Sequence, residues 1–141
     1  MAFLDLRQYL DVLESAGELH RIKSRVNWDS EIGAIAEEAI RRRAGALLFE
    51  NIQDYQNTHG KKLLINTHES PKRMAMALGL PPDTPIMEII KTCKQREKQL
   101  MKPRVVASGP CKEVIHMEGD VNLLEVPAPK LHSKDGGRYL Q

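Results

Sequence analysis

Proline divides this chain. Seven of its eight prolines lie beyond residue 80, and the last helical stripe stops at Pro103. A proline ring removes a backbone donor and breaks a helix interior, so packed helices belong to the front and turn-rich structure to the end. The pattern predicts an α/β domain over 1–103, then a linker and the incomplete start of a second unit over 104–141.

The front alternates helix and strand signals. Leu6, Tyr9, Leu10 and Leu13 recur every three or four residues, which predicts a helix over 4–16 closed by Gly17. ELHRIKSRV (18–26) reads as extended, with Leu19, Ile22 and Val26 inward. A second helix is expected over 30–43, capped by Asn27 or Asp29 and closed by Gly45. Its stripe is Ile32, Ile35, Ala36, Ala39 and Ile40, and its acids precede Arg41, Arg42 and Arg43 as the helix dipole favours. ALLFEN (46–51) and LLIN (63–66) read as strands joined by a polar surface loop. Ser70–Pro71 starts a helix over 71–78, with Met74, Ala75 and Leu78 as its stripe and Gly79 at its end. Thr84–Pro85 starts another that runs to about Met101, with Ile86, Ile89, Ile90, Cys93 and Leu100 as contacts. The fold class is therefore α+β, a small mixed sheet with helices packed on one face.

Beyond Pro103, VVA (105–107) and VIHM (114–117) alternate with turn signals, and LLEVPAP (123–129) reads as extended. Tyr139 and Leu140 read as the start of a strand after Asp135–Gly136–Gly137, a hairpin signal that demands further chain to pair with. The chain is thus expected to be the front of a longer polypeptide. Isolated residues 104–141 carry no helical stripe to offset the entropy of ordering, so proteolysis is expected after about residue 103.

Several function classes fall away. No apolar run approaches the ~20 residues of a membrane span, and no basic segment precedes an apolar one at the amino end. A cytoplasmic protein is expected. The net charge is +2, and no aromatic residue lies between 56 and 138, so the basic stretch Lys91–Lys102 reads as a solvated helix end rather than a nucleic-acid surface. Cys93 and Cys111 read as reduced thiols. His20, His59, His68, His116 and His132 fall at no zinc-ligand spacing, and His68–Glu69 fails the HExxH pattern at Lys72. Phosphate-binding glycine loops and the GxSxG elbow are absent; Gly136–Gly137 reads as a turn in preference to an anion cradle.

The pieces DLRQYLDVLESAGELHRI (5–22), EIGAIAEEAIRR (31–42), ALLFENI (46–52), LGLPPDTPIMEII (78–90), SGPCKEVI (108–115) and LLEVPAPKLHSKDGGRYLQ (123–141) succeed one another in a known order. Together they resemble the amino-terminal part of the UbiD family of reversible decarboxylases, with wording nearest the cinnamic/ferulic and hydroxybenzoate types. Asn122 stands where the family usually has aspartate, at a position that is not catalytic. The resemblance implies that 104–141 holds the first strands of a split β-barrel flavin-binding domain. It implies prenylated FMN, Mn2+ or Mg2+, and K+ as cofactors, and a small aromatic or α,β-unsaturated carboxylic acid as substrate. It implies a homo-oligomer, with a flavin prenyltransferase supplying the cofactor. The family's catalytic, cofactor and metal residues match positions beyond 141, so none is assigned here and the segment alone is expected to be inactive. Asp135, Gly136, Gly137 and Arg138 match the opening of the flavin domain and take a structural role; Glu37, Glu38 and Glu50 match no active-site position. The alternative expectation is a non-catalytic interaction or oligomerisation module.

Overall fold

Asp5 begins the first helix: its carboxylate accepts the Gln8 amide at 3.0 Å, and α1 spans Leu6–Ser15. In this computed structural model, which describes residues 3–139, the order continues β1 (Leu19–Ile22), α2 (Glu31–Arg41), β2 (Ala46–Phe49), β3 (Leu63–Ile65), α3 (Pro71–Ala77) and α4 (Ile86–Glu97). The three strands form one mixed sheet in the order β1–β2–β3, with β1 parallel to β2 and β3 antiparallel to it. The parallel pair needs a crossover, and α2 provides it.

Helices cover both faces of the sheet, not one. Leu47 and Phe49 of β2 pack with Ile32 and Ala39 of α2, while Ala46 packs with Tyr9 and Leu13 of α1 and Met76 of α3. The cause lies in β2 itself, whose four residues are all buried. Successive side chains of a strand point to opposite faces, so a continuous apolar run must be covered twice.

The helix ends combine agreement and correction. Gly17 (φ +68) and Gly79 (φ +69) close α1 and α3 in the left-handed conformation, as their positions predict. Helix α2 is closed instead by Arg43, at φ +53, with the Arg43 amide on Ile40 O at 2.9 Å and the Ala44 amide on Ala39 O at 2.8 Å. Gly45 serves a close approach: a Cβ there would lie 2.5 Å from the Glu18 carbonyl oxygen. Neither Asn27 nor Asp29 caps α2. The Asn27 carboxamide accepts the Asp29 amide at 2.9 Å, the Glu31 carboxylate takes the Asn27 amide at 2.6 Å, and Ser30 stands at the cap position with φ +65. Ser70 does cap α3, accepting the Arg73 amide at 3.2 Å, whereas Thr84 donates its hydroxyl to Pro81 O at 2.6 Å and caps nothing.

All four stripes differ from the sequence pattern: Leu6 of α1 and Ile40 of α2 are exposed, and α3 and α4 depart further. In α3 the buried residues are Arg73, Ala75 and Met76, because a pair with Glu18 draws Arg73 inward and rotates Met74 outward. In α4 only Ile89 is buried; the helix ends at Glu97 in a tightened turn, with Gln99 N on Arg96 O at 2.9 Å, and Ile86, Met87 and Ile90 face solvent. The extended reading of 18–26 shrinks to β1 and an isolated bridge between Val26 and Ile52.

Among the described residues beyond Pro103 there is no strand. Pro110–Lys112, Glu118–Asp120 and Leu123–Glu125 each form a single 3-10 turn, the last capped by the Asn122 side chain. VVA (105–107) and VIHM (114–117) have no sheet to join and are exposed. Tyr139 is not in a strand, and Leu140 lies outside the described residues.

Candidate functional site

The sequence-derived candidates scatter over the surface. His20 is exposed on β1. His68 stacks on Tyr9 with ring centroids 6.2 Å apart, and its Nδ1 lies 2.8 Å from the Thr67 hydroxyl. His59 lies 3.4 Å from the Glu125 carboxylate and tilts against His116, while His132 uses its backbone amide on Asp135. Cys93 and Cys111 are exposed. Among the described residues no three His, Cys, Asp or Glu side chains converge in a way that could hold a metal.

Two of the three candidate carboxylates, Glu38 and Glu50, are engaged in ion pairs. Glu38 accepts from Arg41 and Arg42 on the surface of α2. Glu50 takes Lys62 at 2.7 Å and Arg21 at 2.9 Å; the Lys62 hydrogen bond first, then Arg21, hold its carboxyl below the ordinary value. Arg21 also grips Glu14, which with Glu50 raises the guanidinium pKa further. Glu37 is exposed and lines a broad groove of about 1250 Å³, beside Tyr9, Lys62, His68, Pro127 and Tyr139. The charged groups along it are Glu37, Lys62, Glu69 and Asp135, with His68 and His132; no nucleophile there stands paired with a base.

The most developed geometry among the described residues is instead a seam. Residues 125–139 lie as a strap against the front unit, and Pro127, Ala128 and Pro129 are buried. Gly60 N donates to Glu125 O at 3.1 Å, Ser30 N to Lys130 O at 2.7 Å, and Lys130 N to Trp28 O at 3.1 Å. Leu131 packs into the core beside α2. Two glycines make room: a Cβ on Gly33 would overlap the Leu131 carbonyl, and one on Gly60 would lie 2.6 Å from Pro127 Cδ. Asp135 folds the strap's end by accepting the His132 amide at 2.9 Å, and Gly136 and Gly137 form a bend.

Arg138 completes the seam. Its guanidinium carbon lies 4.0 Å from the centre of the Trp28 ring and 5.6 Å from that of Tyr55. Nε donates to Ala128 O at 2.9 Å, and Nη2 donates to the Tyr55 hydroxyl. The Trp28 indole is fixed in turn by donating to Asp54 at 3.1 Å. Trp28, Tyr55 and Gly60 lie outside the quoted sequence pieces, and Gly33, within EIGAIAEEAIRR, gives no sign there of its contact with Leu131. The one hint in the sequence is that Trp28 is the only tryptophan in the chain.

The described residues form a small α+β unit with a strap docked against it. Similarity to known proteins gives the family. The model described as "3-octaprenyl-4-hydroxybenzoate carboxy-lyase N-terminal domain" matches residues 10–93, and that described as the "Rift-related domain" of the same carboxy-lyase matches residues 104–141. The chain belongs to the UbiD family. It is 34% identical to ferulic acid decarboxylase 1 of Saccharomyces cerevisiae, over 98% of this chain and 29% of that protein. It is also similar to the open form of the vanillic acid decarboxylase of Sedimentibacter hydroxybenzoicus, at 32% identity and a TM-score of 0.83, covering 98% of this chain and 30% of that one. A second similar structure is an evolved dimeric form of the UbiD-class enzyme HmfF of Pelotomaculum thermopropionicum in complex with prFMN, at 25% identity and a TM-score of 0.77, over 94% of this chain and 29% of that one. The chain spans under a third of the length of these relatives.

Proposed function

We propose that this chain is the amino-terminal part of a reversible, non-oxidative decarboxylase that acts on aromatic or α,β-unsaturated carboxylic acids through prenylated FMN. The observation that carries this reading is the succession of two domains of one family, amino-terminal then Rift-related, across 10–93 and 104–141. The decarboxylases among its relatives support the reaction class, and the relative bound to prFMN supports the cofactor. When bound, that flavin accepts the electrons left behind as carbon dioxide departs.

The donors in this chain do not fit the cofactors themselves. Its histidines are dispersed, and Glu38 and Glu50 are committed to arginine and lysine. We assign no catalytic, cofactor or metal residue here, and the same reading gives Mn2+ or Mg2+, K+ and the flavin to residues outside this segment. The division near Pro103, a cytoplasmic location and a flavin prenyltransferase as supplier go with the same reading. No helix among the described residues is long and apolar enough to cross a membrane. A homo-oligomer is supported by the solvent-facing apolar side of α4, Ile86, Met87 and Ile90, which also favours the second reading of the isolated segment as an oligomerisation module.

Co-expression of residues 1–141 with a flavin prenyltransferase tests the assignment. The purified segment is expected to show no stoichiometric flavin absorbance and no release of carbon dioxide. Retained flavin or turnover in the intact segment would place the site within it and overturn the reading.

A further inference from the structure

We propose that Arg138 is a positioning residue, whose seat between Trp28 and Tyr55 fixes where the flavin-binding segment leaves the front unit. The inference rests on the reading of this chain as the front of a prenylated-FMN decarboxylase, and it adds a role that the family assignment does not contain.

The geometry is that of a clamp rather than a surface contact. Tyr55 is 2% exposed, and Trp28 is half-buried and oriented by Asp54. Tyr55 also packs with Phe49 and Ile52 in the core, and Trp28 packs against the same cluster, so both rings have contacts other than Arg138. A guanidinium stacks on an aromatic face while its N–H groups stay in the plane to donate elsewhere. Arg138 uses both properties, stacking on Trp28 while donating to Ala128 O and the Tyr55 hydroxyl. Lysine keeps the charge but offers neither a planar stack nor two donors in fixed directions.

The clamp is also the last tether of the strap. Upstream, backbone hydrogen bonds at Gly60 and Ser30 hold Glu125 and Lys130. From His132 to Gly137 the strap bonds only to itself, through Asp135. The Arg138 side chain then reaches the front unit at Trp28 and Tyr55, and the Tyr139 amide donates to Pro129 O within the strap at 3.4 Å. Without the clamp, the far end of the turn at 132–137 would be held only by the Tyr139 amide on Pro129 O, inside the strap itself, and would lose its side-chain contact with the front unit. A binding site held by several separate segments loses affinity when one of them must be ordered on binding.

Two measurements test this. In the 141-residue chain, Trp28 is the only tryptophan, so its fluorescence reports the clamp directly. Arg138→Ala is expected to shift the emission to the red and to raise acrylamide quenching about twofold, with an unchanged far-ultraviolet circular dichroism spectrum; Arg138→Lys should fall between. Emission and quenching identical to the unsubstituted chain would overturn the clamp. In the intact enzyme, Arg138→Ala is expected to bind FMN on the order of tenfold more weakly, a loss of about one stacked guanidinium contact. Turnover per bound prenylated FMN should be preserved, and Arg138→Lys should restore part of the affinity. Equal FMN affinity in Arg138→Ala and the unsubstituted enzyme would overturn the positioning role and leave the decarboxylase reading standing. An unsubstituted enzyme that binds no flavin would overturn both.

Discussion

Arg43 holds a backbone conformation that costs an L-residue energy. It ends α2 at φ +53 and is exposed, so its side chain gains nothing from packing that would offset the strain. Arg43→Gly should therefore stabilise the chain by about 0.5–1 kcal/mol, the relief of left-handed strain minus the added entropy of the unfolded glycine. The neighbouring glycine behaves oppositely. A Cβ on Gly45 meets the Glu18 carbonyl oxygen at 2.5 Å, and that backbone belongs to the turn into β1. Gly45→Ala should destabilise by about 1–3 kcal/mol. Urea unfolding of the two variants decides between this assignment and the one the sequence suggests, in which Gly45 is the cap and Arg43 an ordinary helix residue. The sequence is readable at Gly17 and Gly79 because there the cap and the glycine coincide. It misleads at Gly45 because a close approach between segments far apart in the chain leaves no periodic trace.

Helix α3 shows the same limit at the scale of an element. Its start is legible, since serine before proline is a local device and Ser70 caps as expected. Its buried face is not, because a cation chooses it. Arg73 is 3% exposed, donates to Glu18 at 2.9 Å and to Ala44 O at 3.0 Å, and so ties α3 to the ends of α1 and α2. Its Nε has no partner, which leaves the charge dependent on Glu18. Burial pushes the Glu18 carboxyl up, but hydrogen bonds from Lys72 and Arg73 outweigh it and leave the pKa below its ordinary 4.5. A carboxyl depressed in the folded state contributes stability that is complete above its ordinary pKa and is lost as pH falls through the folded value. Glu18→Gln should thus cost about 2 kcal/mol near neutrality, mostly from stranding the buried guanidinium. The difference from the unsubstituted chain should shrink as the pH drops below 4.5. Thermal melts from about pH 7 to pH 3 would show this; a gap that is constant with pH would mean that Glu18 does not stabilise through its charge. Hydrophobic periodicity places the middle of the α1 and α2 faces, Tyr9 and Leu13, and Ile32, Ala36 and Ala39, though not their ends at Leu6 and Ile40, and it cannot place a helix whose face is set by a salt bridge.

The molecule as a whole is joined at its strap, and the proline-rich end is not uniform. Residues 110–124 are all exposed, with Val114, Ile115, Met117, Leu123 and Leu124 bare, whereas 127–129 are buried against the front unit. The composition of 104–141 is of one kind throughout, so sequence alone presents it as a single loose extension. What separates its halves is the surface waiting for the second, made by Gly33, Gly60, Trp28 and Tyr55, and none of these announces itself locally. Limited proteolysis should therefore cut between 103 and 124 and leave the fragment beyond the cut bound to the front unit through size-exclusion chromatography. Gly33→Ala makes the test stringent. Glycine inside a helix is about 0.8–1.0 kcal/mol less favourable than alanine, so the substitution should strengthen α2 by itself. Here the new Cβ would overlap the Leu131 carbonyl. If the strap rests on α2, Gly33→Ala lowers stability despite the better helix, and the nicked fragment separates on the column. If the variant is more stable and the fragment still co-elutes, the strap is not seated there, and Leu131 does not rest on α2.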